Sequence, residues 1–291
     1  MFVVTLITNP PIHLEPELVA SLRNALGGGD AVWLNPNTAA EFTIPQAPTN
    51  FEDIWASLQA EGVDMVLQPQ EGRRKKMLLA DMDSTMIRQE CIDELAAEAG
   101  VGPRVAQITA RAMNGELDFE GALRERVSLL KGLDVAVISH VLEKRIHLMP
   151  GGPVLLATMK ANGAYAALVS GGFTAFTAAI ADRLGFDEHR ANKLCAEGGQ
   201  LTGKVTDPIL GREAKVEALN DITARLGITP AGVLAVGDGA NDLGMLQLAG
   251  AGVALHAKPK VQAQAKHRIN HGDLTALLYM QGYAATDFIK A

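Results

Sequence analysis

The sequence predicts an α/β protein: a parallel sheet with helices on both faces, an inserted helical cap, and a small βαββαβ unit in front. Three observations predict it. From Met77 onward, short apolar runs alternate with stretches of helical periodicity, as βαβ units require. An insertion between the first two runs, about 88 to 149, repeats its apolar residues at helical spacing. Residues 1–70 hold strand and helix patterns of their own in a different order. At 291 residues and 48% hydrophobic content, the chain can bury one large domain and one or two smaller ones. The expected division is 1–70, then 75–87 with 150–291 as the sheet domain, and 88–149 as the cap.

Taken in order, Phe2–Thr8 is a β-branched strand run, Glu15–Leu26 a helix and Ala31–Leu34 a strand. A weak strand near Ala40–Ile44, a helix over Phe51–Glu61 and a strand over Val63–Gln68 follow. That order is a split βαβ arrangement. It resembles, in topology alone, the ACT-type amino-acid-binding domains that precede some biosynthetic enzymes. Such a unit can be structural, can form a homodimer or can regulate; no short motif here chooses among these.

Met77–Ala80, Tyr165–Val169, Val233–Val236, Gly252–Leu255 and a short run near Arg268–Asn270 read as the parallel strands. In such sheets ligands gather at the carboxyl ends of strands near a switch point. Three of these runs end at Asp81, Ser170 and Asp238. In the insertion, Ile92, Leu95, Ala96 and Ala99 share one helical face, and Leu123, Val127 and Leu130 another. Glu197-Gly198-Gly199-Gln200 between Lys193–Ala196 and Leu201–Val205 reads as a β-hairpin.

Composition excludes several functions. A formal charge of −7 argues against nucleic acid, which needs clustered cations; the one basic run, Arg73-Arg74-Lys75-Lys76, reads as a solvated linker. Ala161–Ala181 lacks charge and is long enough for a span of about 18 residues. Its Ser170-Gly171-Gly172 centre instead suits a buried strand, a turn and a helix, so no membrane is expected. Cys91 and Cys195 lie far apart and fit neither a disulfide framework nor a zinc pattern. With no basic segment or cleavage site at the N-terminus, the expected compartment is the cytoplasm.

The strongest chemical signal is Asp81-Met82-Asp83-Ser84-Thr85 directly after an apolar strand. Two carboxylates two residues apart at a strand end can face one site, although an Asp there also serves as a turn former. Gly237-Asp238-Gly239-Ala240-Asn241-Asp242 follows a second strand and adds Asp238 and Asp242. Like charges a few Å apart repel by about 1–4 kcal/mol per pair, and a divalent cation relieves this. Oxygen ligands without His or Cys favour Mg²⁺ over zinc. Ser170-Gly171-Gly172 and Lys215 supply the hydroxyl, backbone N–H groups and ammonium that a phosphoryl group needs.

In order, these elements resemble the haloacid dehalogenase (HAD) superfamily of phosphohydrolases over residues 75 to about 285, which implies a Rossmann-like core. Finer motifs, namely Glu90, Met113-Asn114-Gly115-Glu116-Leu117-Asp118-Phe119, Leu123-Arg124-Glu125-Arg126-Val127 and Leu201-Thr202-Gly203-Lys204-Val205, resemble its phosphoserine phosphatase family. The resemblance implies hydrolysis of O-phospho-L-serine, a small-molecule substrate, in the last step of serine biosynthesis. It implies Asp81 as nucleophile through an aspartyl phosphate, and Asp83 as general acid and then base. Mg²⁺ would be held by Asp81, the Asp83 main-chain carbonyl and Asp238, with Asp242 supporting the metal's waters. Ser170, Gly171, Lys215 and Asn241 would hold phosphate. Glu90 would take the substrate ammonium, Arg126 its carboxylate, and Met113 and Phe119 would form an apolar lid. Two alternatives share these motifs: a phosphatase for another small phosphomonoester, or a phosphotransferase to an acceptor such as homoserine. An inactive amino-acid sensor is the alternative of a different class.

Overall fold

The computed structural model describes residues 1–113 and 116–290, without the Met113 side chain. The N-terminal unit comprises β1 (Phe2–Ile7), α1 (Pro16–Ala25), β2 (Val32–Asn35), β3 (Ala39–Ile44), α2 (Phe51–Ala60) and β4 (Asp64–Pro69). Its sheet has the order β2-β3-β1-β4 with every pair antiparallel, which is consistent with an ACT-like domain. β1 reads as a continuous apolar run because both of its faces are covered. Val4 and Leu6 pack with Val19, Phe42, Leu58 and Met65 inside the unit, while Ile7 and Val66 join the core of the larger sheet.

The junction between the two sheets is polar as well as apolar. The fully buried Asp64 accepts backbone N–H bonds from Asn270 (2.8 Å), His271 (3.0 Å) and Gly272 (2.7 Å). Burial pushes its carboxyl above the usual carboxylate value, and those amides oppose the rise. Arg268 adds a fork to Glu52 at 2.9 Å and stacks over Trp55.

The second sheet is formed by β5 (Met77–Ala80), β6 (Tyr165–Phe173), β7 (Glu188–Asn192), β10 (Val233–Gly237), β11 (Ala251–Leu255) and β12 (His267–Ile269). Its order is β12-β11-β10-β5-β6-β7, all parallel. The period-2 pattern of the central strands divides the core. Leu78, Ala80, Leu168 and Val236 face one side, whereas Met77, Leu79, Val169 and Ala235 face the other. α7 (Gly152–Ala161) and α8 (Thr174–Leu184) cover the first side with Leu155, Leu156, Phe176 and Ile180. α9 (Arg212–Leu226) and α10 (Leu243–Leu248) cover the second with Leu219, Ile222 and Leu246.

The sheet has one more strand than the sequence predicts. β7 carries Glu188, His189 and Arg190, all partly exposed, as an edge strand can, so it lacks an apolar pattern. The uncharged stretch 161–181 divides into β6 and α8, and among the described residues no helix is long and apolar enough to cross a membrane.

Between β5 and α7 lie α3 (Cys91–Glu98), α4 (Gly102–Met113), α5 (Phe119–Ser128) and α6 (Ala136–Lys144). The hairpin β8 (Leu194–Glu197) and β9 (Gln200–Val205) packs on α5 and is stitched to the loop after it. Gly132 N–H donates to Leu201 O and Leu201 N–H to Leu133 O, both at 2.8 Å. We therefore propose that the hairpin belongs with the helical cap, although it lies outside the expected range 88–149.

Candidate active site

β5 and β10 are neighbours at the centre of the sheet, and the chain leaves β5 towards β6 on one side with β10 on the other. This is a switch point, where a crevice opens at the carboxyl ends of the strands. Asp81 extends β5 and donates its N–H to Val236 O at 3.0 Å. Its Oδ1 accepts the Met82 N–H at 2.8 Å and lies 2.7 Å from Lys215 Nζ. Lys215, 1% exposed on α9, also reaches Asp242 Oδ1 at 2.5 Å.

Asp238 follows β10, and a single tight turn, Ala240–Asp242, folds Asp242 back towards it. Gly239 N–H donates to Asp242 Oδ2 at 2.9 Å. A Cβ on Gly237 would lie 2.3 Å from the Asp242 carboxyl carbon, so only glycine permits this return. Oxygens of Asp81, Asp238 and Asp242 come within 4.8 Å of one another. Three carboxylates face one ammonium, an oxygen-donor set with surplus negative charge that suits a hard divalent cation. Asp242, which the sequence grouped with these carboxylates and the resemblance assigns to the metal's waters, contributes an oxygen to this cluster.

Burial, then Asp242, push the Asp81 carboxyl well above the usual value, while Lys215 pulls it down. Burial opposes the charge on Lys215, but Asp242 and Asp81 outweigh it and hold the ammonium above the usual lysine value. Burial and then Asp242 raise Asp238 to about 7. Asp83 is likewise raised to about 7, by burial and then by Glu90.

Asp83 is not one of the three clustered carboxylates; a Cβ built on Gly172 would lie 2.7 Å from its Oδ2. Its Oδ1 accepts the N–H of Cys91 at 3.1 Å, the first residue of α3. Between them the chain makes a compact loop with Ser84 at φ 55°, a left-handed conformation that costs roughly 1 kcal/mol or more outside glycine. Ser84 Oγ donates to Glu90 Oε1 at 2.7 Å, and Thr85 Oγ1 to Asp238 Oδ1 at 3.4 Å.

The helices between β5 and α7 carry further groups. Phe119 lies over the sheet crevice: Cβ atoms built on Gly171 and Gly211 would stand 3.0 and 3.4 Å from its ring. Arg126 donates Nε–H to Ala122 O at 3.2 Å and Nη1–H to Thr109 Oγ1 at 3.5 Å. Burial lowers its pKa, and the charges of Asp93, Glu90 and Asp83 oppose that fall. Among the described residues neither Glu90 nor Arg126 forms an ion pair; their hydrogen bonds run to Ser84, Ala122 and Thr109. The Met113 side chain lies outside the described residues. Ser170 is 2% exposed and its Oγ accepts the Gly172 N–H at 2.9 Å; Asn241 sits half-buried beside Asp242. Sequence reasoning passed over Asn192, whose amide reaches Gly171 O at 2.9 Å from the strand it missed.

The profile of the haloacid dehalogenase-like hydrolase family matches residues 78–247. A phosphoserine phosphatase of Streptomyces coelicolor is 42% identical over 253 residues, which cover 85% of this chain and 61% of that protein. The chain thus spans less than two thirds of that relative. A phosphoserine phosphatase of Archaeoglobus fulgidus is 43% identical over 243 residues, covering 81% of this chain and 70% of the relative. Among solved structures, a HAD family hydrolase of Salmonella enterica serovar Typhi superposes with a TM-score of 0.86 at 33% identity. The match covers 96% of this chain and 98% of that one.

Proposed function

The chain belongs to the haloacid dehalogenase-like hydrolase family and, within it, to the phosphoserine phosphatases, and on that premise we propose that it hydrolyses O-phospho-L-serine through an aspartyl phosphate on Asp81. The observation that carries this reading is the convergence of Asp81, Asp238, Asp242 and Lys215 beneath a cap presenting Arg126 and Glu90.

Asp81 is the nucleophile. Its recorded contacts with Met82 N–H and Lys215 both fall on Oδ1, which leaves Oδ2 to attack phosphorus. Lys215 and the Ser170 hydroxyl bind phosphoryl oxygens and offset their charge, joined by the Gly171 N–H and Asn241. With a pKa raised to about 7, Asp83 can hold a proton at neutral pH. It gives that proton to the departing serine oxygen and later takes one from the attacking water.

Asp81, Asp238 and Asp242, with the Asp83 carbonyl, would hold Mg²⁺, which when bound screens the anionic nucleophile from the anionic substrate. The surplus of carboxylates over Lys215 supports that fit. Arg126 lies among the charges of Asp93, Glu90 and Asp83, a polarity complementary to an amino acid: the substrate carboxylate goes to Arg126 and its ammonium to Glu90. Phe119 closes the site against water. The two free thiols, Cys91 buried and Cys195 partly so, suit a reducing cytoplasm.

The test is kcat/KM for L-phosphoserine, phosphothreonine and p-nitrophenyl phosphate, with Mg²⁺ and then with EDTA. A Mg²⁺-dependent preference for phosphoserine of about a hundredfold, or roughly 2.7 kcal/mol, is the expected result. Mg²⁺-dependent hydrolysis without that preference would leave the chemistry standing and overturn the substrate.

A further inference from the structure

Between Val169 and Phe173 the pairing of β6 with β7 breaks. Val169 lies opposite Arg190 and Phe173 opposite Asn192, so β6 holds two more residues than its partner across this interval. The surplus loops out as Ser170-Gly171-Gly172, and a bulge of this kind takes backbone groups out of the ladder. Each displaced group must find a partner elsewhere.

The partner for Gly171 is a side chain. Asn192, 2% exposed at the end of β7, donates from Nδ2 to Gly171 O at 2.9 Å and to Leu210 O at 3.2 Å. Its Oδ1 accepts the Leu210 N–H at 2.8 Å. One buried amide thus uses both of its donors and its oxygen on three backbone groups from two distant segments. Leu210 immediately precedes Gly211, the residue that leads into α9 and Lys215.

The Gly171 carbonyl and the Gly172 N–H belong to one planar peptide unit, so holding the first orients the second. The Gly172 N–H donates to Ser170 Oγ at 2.9 Å. With an acceptor lone pair of that hydroxyl occupied, its hydrogen is left to donate outward. We infer that Asn192 is a positioning residue which, through the Gly171–Gly172 peptide, sets the Ser170 hydroxyl as a donor to the substrate's phosphoryl group. This rests on the phosphatase reading above and extends it to a residue that touches no substrate atom.

A purely structural role predicts that loss of Asn192 and loss of Ser170 add, whereas a role exercised through Ser170 predicts that they do not. The experiment is a double-mutant cycle on kcat/KM for L-phosphoserine in Mg²⁺, with Asn192→Ala and Ser170→Ala singly and together. Asn192→Leu, which keeps most of the side-chain volume, serves as the second variant, and circular dichroism and thermal melts report on folding. The expected result is a 10- to 30-fold loss for Asn192→Ala or Asn192→Leu beside Ser170, shrinking to less than about threefold in the Ser170→Ala background. Losses that multiply, a folded Asn192 variant with full activity, or a Ser170→Ala variant that loses nothing would each overturn the inference. A wild-type chain that hydrolyses other phosphomonoesters but not phosphoserine would overturn the substrate assignment and leave this cycle to be read on the preferred ester. A wild-type chain with no phosphatase activity would overturn both.

Discussion

Replacing Lys215 with Met removes an ammonium that lies 2.7 Å from Asp81 and 2.5 Å from Asp242 and leaves three carboxylates in one buried cluster. At an effective dielectric near 20 each contact carries roughly 6 kcal/mol of gross attraction. Desolvation cancels much of that, and removing one partner of a buried pair costs about 3–5 kcal/mol net. For a chain of this size the loss corresponds to a fall in Tm of roughly 10 °C at pH 8. The pH dependence has a definite sign. Asp81 is already pushed up by burial and loses the cation that pulled it down. A carboxyl whose folded pKa is raised contributes stability that is present below its unfolded pKa, about 3.9, and lost as pH rises through the folded value. The variant's deficit relative to wild type therefore shrinks as pH falls from 8 towards 5. Mg²⁺ at about a hundred times its Kd returns roughly 2.7 kcal/mol. Thermal melts of both proteins across that range, with Mg²⁺ and with EDTA, measure all three effects. A deficit that stays constant from pH 5 to 8, or a variant that melts with wild type at pH 8, would refute the reasoning.

Four further outcomes are expected. With Asp83 in the proposed role of acid to the leaving group, kcat/KM for phosphoserine should fall about tenfold per unit above its pKa of about 7. Asp83→Asn should cost roughly 10²–10⁴-fold on phosphoserine but far less on p-nitrophenyl phosphate, whose leaving group needs no acid; equal losses would sink that role. Asp64→Ala orphans three backbone N–H groups and should destabilise by about 2–4 kcal/mol, read by urea denaturation, without changing KM. His267 is pushed down to about 4 by burial and then by Lys266, Lys75 and Arg268. The stability it supplies is complete above its unfolded pKa of about 6.5 and is lost as pH falls towards 4, to about 3 kcal/mol. His267→Phe should flatten that part of the stability–pH curve.

β5 and β10 were legible because both faces of a parallel sheet are buried and the strands read as apolar runs ending in Asp81 and Asp238. β7 was not, since an edge strand of Glu188, His189 and Arg190 carries no such pattern, and Asn192 went with it. Spacing already grouped Asp242 with Asp81 and Asp238, and the tight turn at Ala240–Asp242 is what folds its carboxylate in among theirs. The attachment of the β8–β9 hairpin to the loop after α5 is invisible, because hydrogen bonds between Gly132 and Leu201 leave no local mark in either segment.

The Asp64 junction bears on how freely this N-terminal unit could be exchanged in a recombined gene. Residues 70–76 are the covalent tether, yet the unit is also held by amides from the start of the segment after β12 and by the Arg268–Glu52 fork. A transplanted module of the same topology would need a carboxylate at the first position of its last strand, or it would leave three backbone donors facing a dry seam. Conversely, a protease that cut the tether would yield two fragments that still co-elute, one product of a single nick rather than a liberated catalytic core.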